Sequence, residues 1–436
     1  MDQEMTRPSD AARDAAPIAS LSRRQALRYG LYGLACASAG GAAVYYVKRR
    51  AASITTADVF KNDAPGDDLW RLWNARGWLR EARHYRRLGR NVQCQLCPNE
   101  CVLEPGDRSH CRDRVNRDGT LYTLAYGNPC AVHLDPIEKK PLFHFLPGAA
   151  ALSLATAGCG LRCLNCQNWD ISQRRPEDTK DARGEPLRPG VEEWEGLSRD
   201  QQERMSLMPA DVVAAAEALQ CPSIAYTYSE PIAWYEYMLD TARLARGRGI
   251  KNLWITCGYI QAQPLAELCR WIDAANVNLK SFSDDIYRRL NSGRLQPILD
   301  TLLALKRAGV WFEVTNLIVP TYTDQPEMIR RMCGWLLDHL GPDYPLHFSR
   351  FFPKHQLTHL PSTPVEILVE ARQIALEAGL RYVYIGNVGE LDDAETTYCP
   401  HCRKAVVERL MFTARPVGLK NGLCASCGTP IAGVWT

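Results

Sequence analysis

The sequence lacks any excess of charge. Lys and Arg number 52 against 49 Asp and Glu, a net charge of +3 over 436 residues. That balance argues against nucleic acid as the main partner, because a phosphate-binding surface shows up as basic composition. There is no series of long apolar runs of the kind a polytopic membrane protein needs. Glycine (30) and proline (27) are not enriched, which excludes collagen-like chains, and a charged fraction of 23% beside 46% apolar residues excludes a disordered one. What remains is a globular chain long enough for about two or three domains, each with its own core.

Cysteine is abundant, at 17 residues. An odd number in a chain this long does not suit a secreted disulfide scaffold, and local clustering points to metal. Three groups stand out: Cys94, Cys97, Cys101 and Cys111; Cys159, Cys163 and Cys166; and Cys399, Cys402, Cys424 and Cys427. Cys221, Cys257, Cys269 and Cys333 are scattered through apolar periodic segments and read as small buried hydrophobes.

Residues 1–50 read as a disordered polar tail followed by a twin-arginine pair, Ser22-Arg23-Arg24, and the uncharged stretch Tyr29–Val47. At 19 residues that stretch is long enough to span a bilayer or to act as a signal, with Ala37-Ser38-Ala39 as a small-residue cleavage site. Twin-arginine export suits proteins that fold around a cofactor first. A thiol-rich chain instead favours the reducing cytoplasm, or the cytoplasmic face of a membrane with Tyr29–Val47 as anchor. Both outcomes stay open.

Residues 51–90 read as helical and basic, opening an N-terminal cysteine-bearing domain over 51–150. From 151 to 390, short β-rich runs alternate with helical ones. The strands expected are Ala151–Ala157, Ser223–Tyr228, Asn252–Thr256, Val277–Lys280, Trp311–Val319, Leu346–Phe351 and Tyr382–Ile385. Helical patterns between them include Pro264–Ala274 and Pro326–Leu340. This alternation means an α/β fold on a parallel sheet, open or curled, with functional residues just past strand C-termini. Gln173–Met208 breaks the rhythm and reads as a long surface loop or lid. Residues 391–436 form a last small module.

The central cysteines follow the first of these strands in Gly158-Cys159-Gly160-Leu161-Arg162-Cys163-Leu164-Asn165-Cys166. Three thiolates spaced in this way can hold three irons of a cubane and leave the fourth without a protein ligand. An open iron can chelate S-adenosylmethionine and pass an electron into its sulfonium, giving methionine and a 5′-deoxyadenosyl radical. A three-ligand zinc site completed from a distance is the plainer alternative.

With this loop, several further strings resemble the radical SAM enzymes, and among them the radical SAM enzyme of the AmmeMemoRadiSam system, a relative of the pyruvate formate-lyase activating enzymes. They are Cys94-Gln95-Leu96-Cys97-Pro98, the run Asp135-Pro136-Ile137-Glu138-Lys139-Lys140-Pro141-Leu142-Phe143-His144-Phe145, Cys166-Gln167-Asn168-Trp169, Tyr226-Thr227-Tyr228-Ser229-Glu230-Pro231, His347-Phe348-Ser349-Arg350-Phe351 and Gly386-Asn387-Val388. The resemblance implies a partial (β/α) barrel of the radical SAM type, with Cys159, Cys163 and Cys166 on a [4Fe–4S] cluster. It implies that Glu230, beside Ser229, accepts a hydrogen bond from the methionine ammonium. Thr256, Asn278, Lys280 and His347 would line the cosubstrate pocket. Asn165, Cys257 and Asn278 depart from the family's usual aromatic, Asn and Asp at their positions. A low-potential donor of flavodoxin or ferredoxin type is implied, as is a protein substrate whose Gly Cα would be the site of hydrogen abstraction. Radical modification of a small molecule fits the same residues. In a different class, an electron-transfer or metal-stapled binding protein would need a fourth central cysteine, which is missing near Cys166.

Cys399-Pro400-His401-Cys402 and Cys424-Ala425-Ser426-Cys427 make two knuckles that match a zinc ribbon, with a redox-active or iron-bound site as the alternative. The module is too small to build a core without metal. Cys94, Cys97, Cys101 and Cys111 suffice for either zinc or an auxiliary iron–sulfur cluster, and spacing does not decide between them.

Overall fold

A computed structural model describes residues 58–181, 183, 185–188, 196–389, 391 and 393–436. The tail, the twin-arginine pair and Tyr29–Val47 lie outside the described residues. Among those described, no helix is long and apolar enough to cross a membrane.

The helix Asp67–Arg76 buries Trp73 and stops where Gly77 turns left-handed, at φ 73°, and its N–H bonds the Asn74 carbonyl. Six short strands follow: β1 (Arg80–Glu81), β2 (Tyr85–Leu88), β3 (Asn91–Cys94), β4 (Val102–Leu103), β5 (Arg114–Arg117) and β6 (Thr120–Thr123). They pair as β1-β6-β5 and β2-β3-β4. The helical reading of 51–90 is therefore corrected past Gly77, and its first residues lie outside those described. The apolar spacing there is real, but Arg80 pairs with the distant Thr123 and Tyr85–Leu88 closes a local hairpin on Asn91–Cys94, so strand pairing overrides local periodicity.

The main sheet has eight strands in the order β14-β13-β12-β11-β10-β9-β8-β7. β7 (Ala131–Pro136) is the antiparallel edge. β8 (Ala150–Ala155), β9 (Ser223–Tyr226), β10 (Lys251–Thr256), β11 (Ala274–Asn278), β12 (Trp311–Ile318), β13 (Leu346–Arg350) and β14 (Val383–Gly386) are parallel and follow chain order. Right-handed crossovers then place the helices on one face, and the sheet curls about the other. The helix-facing side chains, such as Leu154, Tyr226, Trp254, Val277 and Val314, join the largest apolar core. Ala151, Ala225, Leu253 and Ala274 face the lumen and pack on Ile137, Leu142 and Phe145, so the segment after β7 plugs the floor. β7 and β14 do not pair with each other, which leaves a partial barrel open at one side.

Most expected elements match within a few residues. The helix Pro264–Ala274 is corrected to Ala262–Leu268, because Ala274 already pairs with Trp311 as the first residue of β11. Gln173–Met208 is less of a free lid than expected. Arg199–Arg204 is helical behind a Ser198–Gln201 capping box, and Leu207 N–H bonds Gly127 O at 2.9 Å. Its residues 182, 184 and 189–195 lie outside the described residues. After β14, β15 (Thr397–Tyr398), β16 (Ala405–Leu410) and β17 (Thr413–Pro416) form a small sheet, and β18 (Leu419–Lys420) and β19 (Leu423–Cys424) a hairpin. Residues Thr56–Thr436 cluster as one compact unit.

Candidate active site and metal centres

The loop after β8 is shaped by contacts that no other residue at its turn would tolerate. Gly158 sits at φ +95°, and a Cβ there would fall 2.2 Å from the Asp113 carboxylate oxygens. Its N–H bonds Ile171 O at 3.1 Å. Beyond it, Cys159 N–H bonds Cys111 O at 3.3 Å, Arg162 N–H bonds Asn291 O at 3.0 Å and Leu164 N–H bonds Leu290 O at 2.9 Å. The loop is thus held from three sides. Gly158→Ala should cost more than about 2 kcal/mol in chemical denaturation, through strain and clash together. Gly334→Ala, in a helix with nothing within 4 Å of its Cβ position, should be neutral or stabilise by about 0.5–1 kcal/mol. Equal effects at both sites would remove this account of the loop.

The three thiols of the loop each have a polar neighbour. Leu161 N–H bonds Cys159 Sγ at 3.3 Å, Asn291 Nδ2 bonds Cys163 Sγ at 3.2 Å, and Ser172 Oγ lies 3.0 Å from Cys166 Sγ. Burial raises the pKa of Cys159 and Cys166 above the ordinary thiol value. Unmetallated, these would stay protonated; a metal centre is what makes buried thiolates stable.

Glu230 closes the site from the end of β9. Its Oε1 accepts from Thr256 Oγ1 at 2.6 Å and from Ile232 N at 3.3 Å, and its Oε2 accepts from Cys257 N at 2.7 Å. Burial raises its pKa although these donors oppose the rise. A carboxylate has room for about four donors, so Oε2 keeps acceptor capacity for a cation. Thr256 also accepts from Gly258 N at 2.9 Å and so positions Glu230. Asn278 Nδ2 bonds Thr256 O at 3.2 Å, and Trp234 Nε1 bonds Ser229 Oγ at 3.0 Å. Sequence reasoning carried these residues in by resemblance; the structure brings Glu230, Thr256 and Asn278 to adjoining strand ends.

The model of the radical SAM superfamily matches residues 153–335, the span from β8 through β12 that carries this loop and Glu230. The chain carries a radical SAM domain. It is 42% identical over 356 residues to an uncharacterized protein of Methanocaldococcus jannaschii, an overlap of 81% of this chain and 99% of that one. It is 23% identical over 182 residues to the pyruvate formate-lyase-activating enzyme of Clostridium pasteurianum, covering 41% of this chain and 65% of that enzyme. Among solved structures, a radical SAM methyltransferase from Sphaerobacter thermophilus overlaps 70% of this chain and 76% of its own, at 14% identity and a TM-score of 0.38.

The radical SAM core accounts for other neighbours of the loop. Lys280, past β11, is half-buried; burial opposes its charge, but Cys163, Cys257, Cys166 and Cys159 outweigh this and raise its pKa. Asn165 is buried and its Oδ1 has no hydrogen-bond partner among the described residues. Three splayed thiols, a lysine facing them and a spare carboxylate lone pair suit the superfamily's [4Fe–4S] cluster and S-adenosylmethionine.

His347 is placed differently from Glu230. Its Nε2 lies 2.6 Å from Glu313 Oε2, deep on the lumen face of β12 and β13, edge-on to Phe143 with ring centres 4.7 Å apart. Burial works against a charged Glu313, but the bond to His347 and the His144 N–H outweigh it and lower its pKa. Glu313 was missed in the sequence; its signal was a lone charge within an otherwise uncharged, largely apolar strand. A second missed group also lies in the lumen. Asp135 pairs with Lys139 at 2.8 Å and Lys140 at 2.5 Å and accepts from the Tyr228 hydroxyl. Burial lowers the Lys140 pKa to about 8 despite Asp135. Tyr228 thereby ties the string that ends in Glu230 to the floor segment.

The C-terminal cysteines come together as one ligand set. Cys399 and Cys427 Sγ are 3.6 Å apart, as are Cys402 and Cys424 Sγ, and all four donor atoms lie within 4.8 Å of one another. Cys94, Cys97, Cys101 and Cys111 line one cavity under the cluster loop, shared with Gly160, Glu230 and Cys257.

Proposed function

We propose that this radical SAM enzyme acts on a partner protein, as an activating enzyme or a close protein-modifying relative, within the AmmeMemoRadiSam group. The observation that carries the reading is the lumen. Ile137, Leu142 and Phe145 plug its floor, while the sheet leaves β7 and β14 apart and so opens it along one side. An extended backbone needs that clearance, whereas a small molecule is better held in an enclosed pocket. The relationship to an activating enzyme at 23% identity supports it.

When bound, the cluster and S-adenosylmethionine supply a 5′-deoxyadenosyl radical at the cost of one electron, drawn from a low-potential donor of flavodoxin or ferredoxin type. Cys159, Cys163 and Cys166 would hold the cluster. Glu230, fixed by Thr256 and the Cys257 N–H, would orient the methionine ammonium through a charge-assisted bond. Lys280 and Asn278 would face the same cosubstrate, and His347 with Glu313 would close the lumen wall beyond it. The C-terminal thiolates would hold zinc as a structural ion.

The test is an anaerobic incubation of reduced enzyme and S-adenosylmethionine with cell extract divided by size, read by electron paramagnetic resonance. A persistent glycyl-type doublet in the protein fraction is expected. Cosubstrate consumption coupled only to the small-molecule fraction would sink the protein-substrate reading.

A further inference from the structure

Four thiolates can surround one metal ion or a cubane, and the two differ in how far apart they hold sulfur. A tetrahedral zinc with Zn–S bonds of about 2.3 Å puts its sulfurs about 3.8 Å from one another. The C-terminal set meets that spacing at 3.6 Å for two of its pairs. A cubane binds each thiolate to a different iron and spreads them apart. Among the described residues, the C-terminal set is the one group of three or more His, Cys, Asp or Glu donors lying within 4.8 Å of one another. No three of Cys94, Cys97, Cys101 and Cys111 bring their sulfurs that close together, nor do Cys159, Cys163 and Cys166, the trio that belongs to the superfamily's cluster.

The Cys94 set still converges. All four cysteines line one cavity, with Leu96, Ile232 and Ala233 as apolar walls. The backbone is tied to hold them there: Cys94 N–H bonds Cys101 O at 2.9 Å, and Glu100 N–H bonds Cys97 O at 3.1 Å. Arg114 also lines the cavity and is 1% exposed. Two of its nitrogens bond Glu236, at 2.6 and 3.2 Å, while its Nε has no hydrogen-bond partner among the described residues. A buried cation with an unused N–H beside four thiolates suits a centre with net negative charge and exposed sulfide acceptors.

We propose that Cys94, Cys97, Cys101 and Cys111 hold a second [4Fe–4S] cluster, ligated by protein on all four irons and set directly behind the radical SAM loop. The two centres share a wall. Cys159 N–H bonds Cys111 O at 3.3 Å, Asn99 Nδ2 bonds Gly160 O at 2.7 Å, and a Cβ on Gly160 would stand 3.9 Å from Cys97 Sγ. With no open iron, this centre has no place for S-adenosylmethionine. The proposal does not depend on which substrate the enzyme uses.

The test counts metals in the full-length protein, purified and reconstituted without oxygen. About eight irons, about eight acid-labile sulfides and about one zinc per chain are expected. About four irons with about two zincs would overturn the proposal. Replacing Cys159, Cys163 and Cys166 together by Ala separates the sites. That variant should keep about four irons and a dithionite-reduced paramagnetic signal that does not change when S-adenosylmethionine is added. An iron-free triple variant that still folds, by circular dichroism, would also overturn it. The converse variant, Cys97→Ala with Cys101→Ala, should retain only the signal that responds to S-adenosylmethionine. Should it fail to fold, the wild-type count and the triple variant decide.

Discussion

Cys163→Ala should leave a folded protein that forms no 5′-deoxyadenosine above background. Iron content should fall by about four atoms per chain, measured after anaerobic reconstitution, with the nucleoside followed by chromatography under dithionite. The loop should survive the substitution. Its backbone is held at Arg162 and Leu164 by the Asn291 and Leu290 carbonyls, neither of which needs the sulfur. What is lost is a ligand to one iron and the acceptor for Asn291 Nδ2. Glu230→Gln provides the contrast. It leaves every thiol in place, so the iron content and visible absorbance should persist. The charge that would meet the methionine ammonium is gone, and a charge-assisted hydrogen bond contributes about 1.5–3 kcal/mol. A rise of about 10- to 100-fold in the KM for S-adenosylmethionine follows. Nucleoside formation surviving in the Cys163 variant would end the assignment of that cysteine. Iron loss in the Glu230 variant would turn Glu230 into a structural residue.

How far the sequence could be read depended on the distance over which each feature is determined. The seven parallel strands were legible because each is buried on both faces and reads as a short apolar run between helical patterns. The cluster loop was legible because its three cysteines lie within one turn-rich stretch just past β8. Strand β1 was not, because its partner around Thr123 lies far along the chain, and β2 was not, because a helical period runs through its half of the hairpin with β3. The Glu313–His347 pair and the Asp135–Lys140–Tyr228 group were invisible for the same reason; sequence shows the residues but not which strands are neighbours. Asp113 is a sharper case. It sits among Arg108, Arg112, Arg114 and Arg117, yet it is wholly buried and dictates glycine at position 158. The nature of the Cys94 group could not be read from spacing, because zinc and a cubane both use four thiolates. Only the separation of the sulfur atoms tells them apart.

Removing metal from the C-terminal thiolates should destabilise more than the small module that carries them. Cys424→Ser with Cys427→Ser is expected to lower stability by about 4 kcal/mol or more, since a structural zinc supplies much of the folding energy of so small a unit. A fall of about 10 °C in the melting temperature is the corresponding readout, and wild-type protein should lose zinc and stability together under a strong chelator. The reason for the reach lies in a shared core. Cys399, Cys424, Val406 and Val407 pack with Phe143, Tyr382 and Tyr384 of the barrel. Arg409 of β16 is buried, donates to Phe143 O at 2.5 Å and lies over the Phe143 ring at 4.3 Å. The last residues close the same floor, with Val434 N–H bonding His144 O at 2.7 Å and Leu146 N–H bonding Val434 O at 2.8 Å. His144 Nδ1 lies 2.6 Å from Ala432 O and its Nε2 2.5 Å from the Tyr384 hydroxyl. Burial holds its pKa down to about 4, so it stays neutral. Its backbone N–H in turn holds Glu313, the partner of His347. Losing an ion held there would free the floor plug and, through it, one wall of the lumen, so the double variant should turn over S-adenosylmethionine more slowly even with its iron intact. A variant with an unchanged melting temperature and full turnover would mean that the four thiolates do not carry the floor.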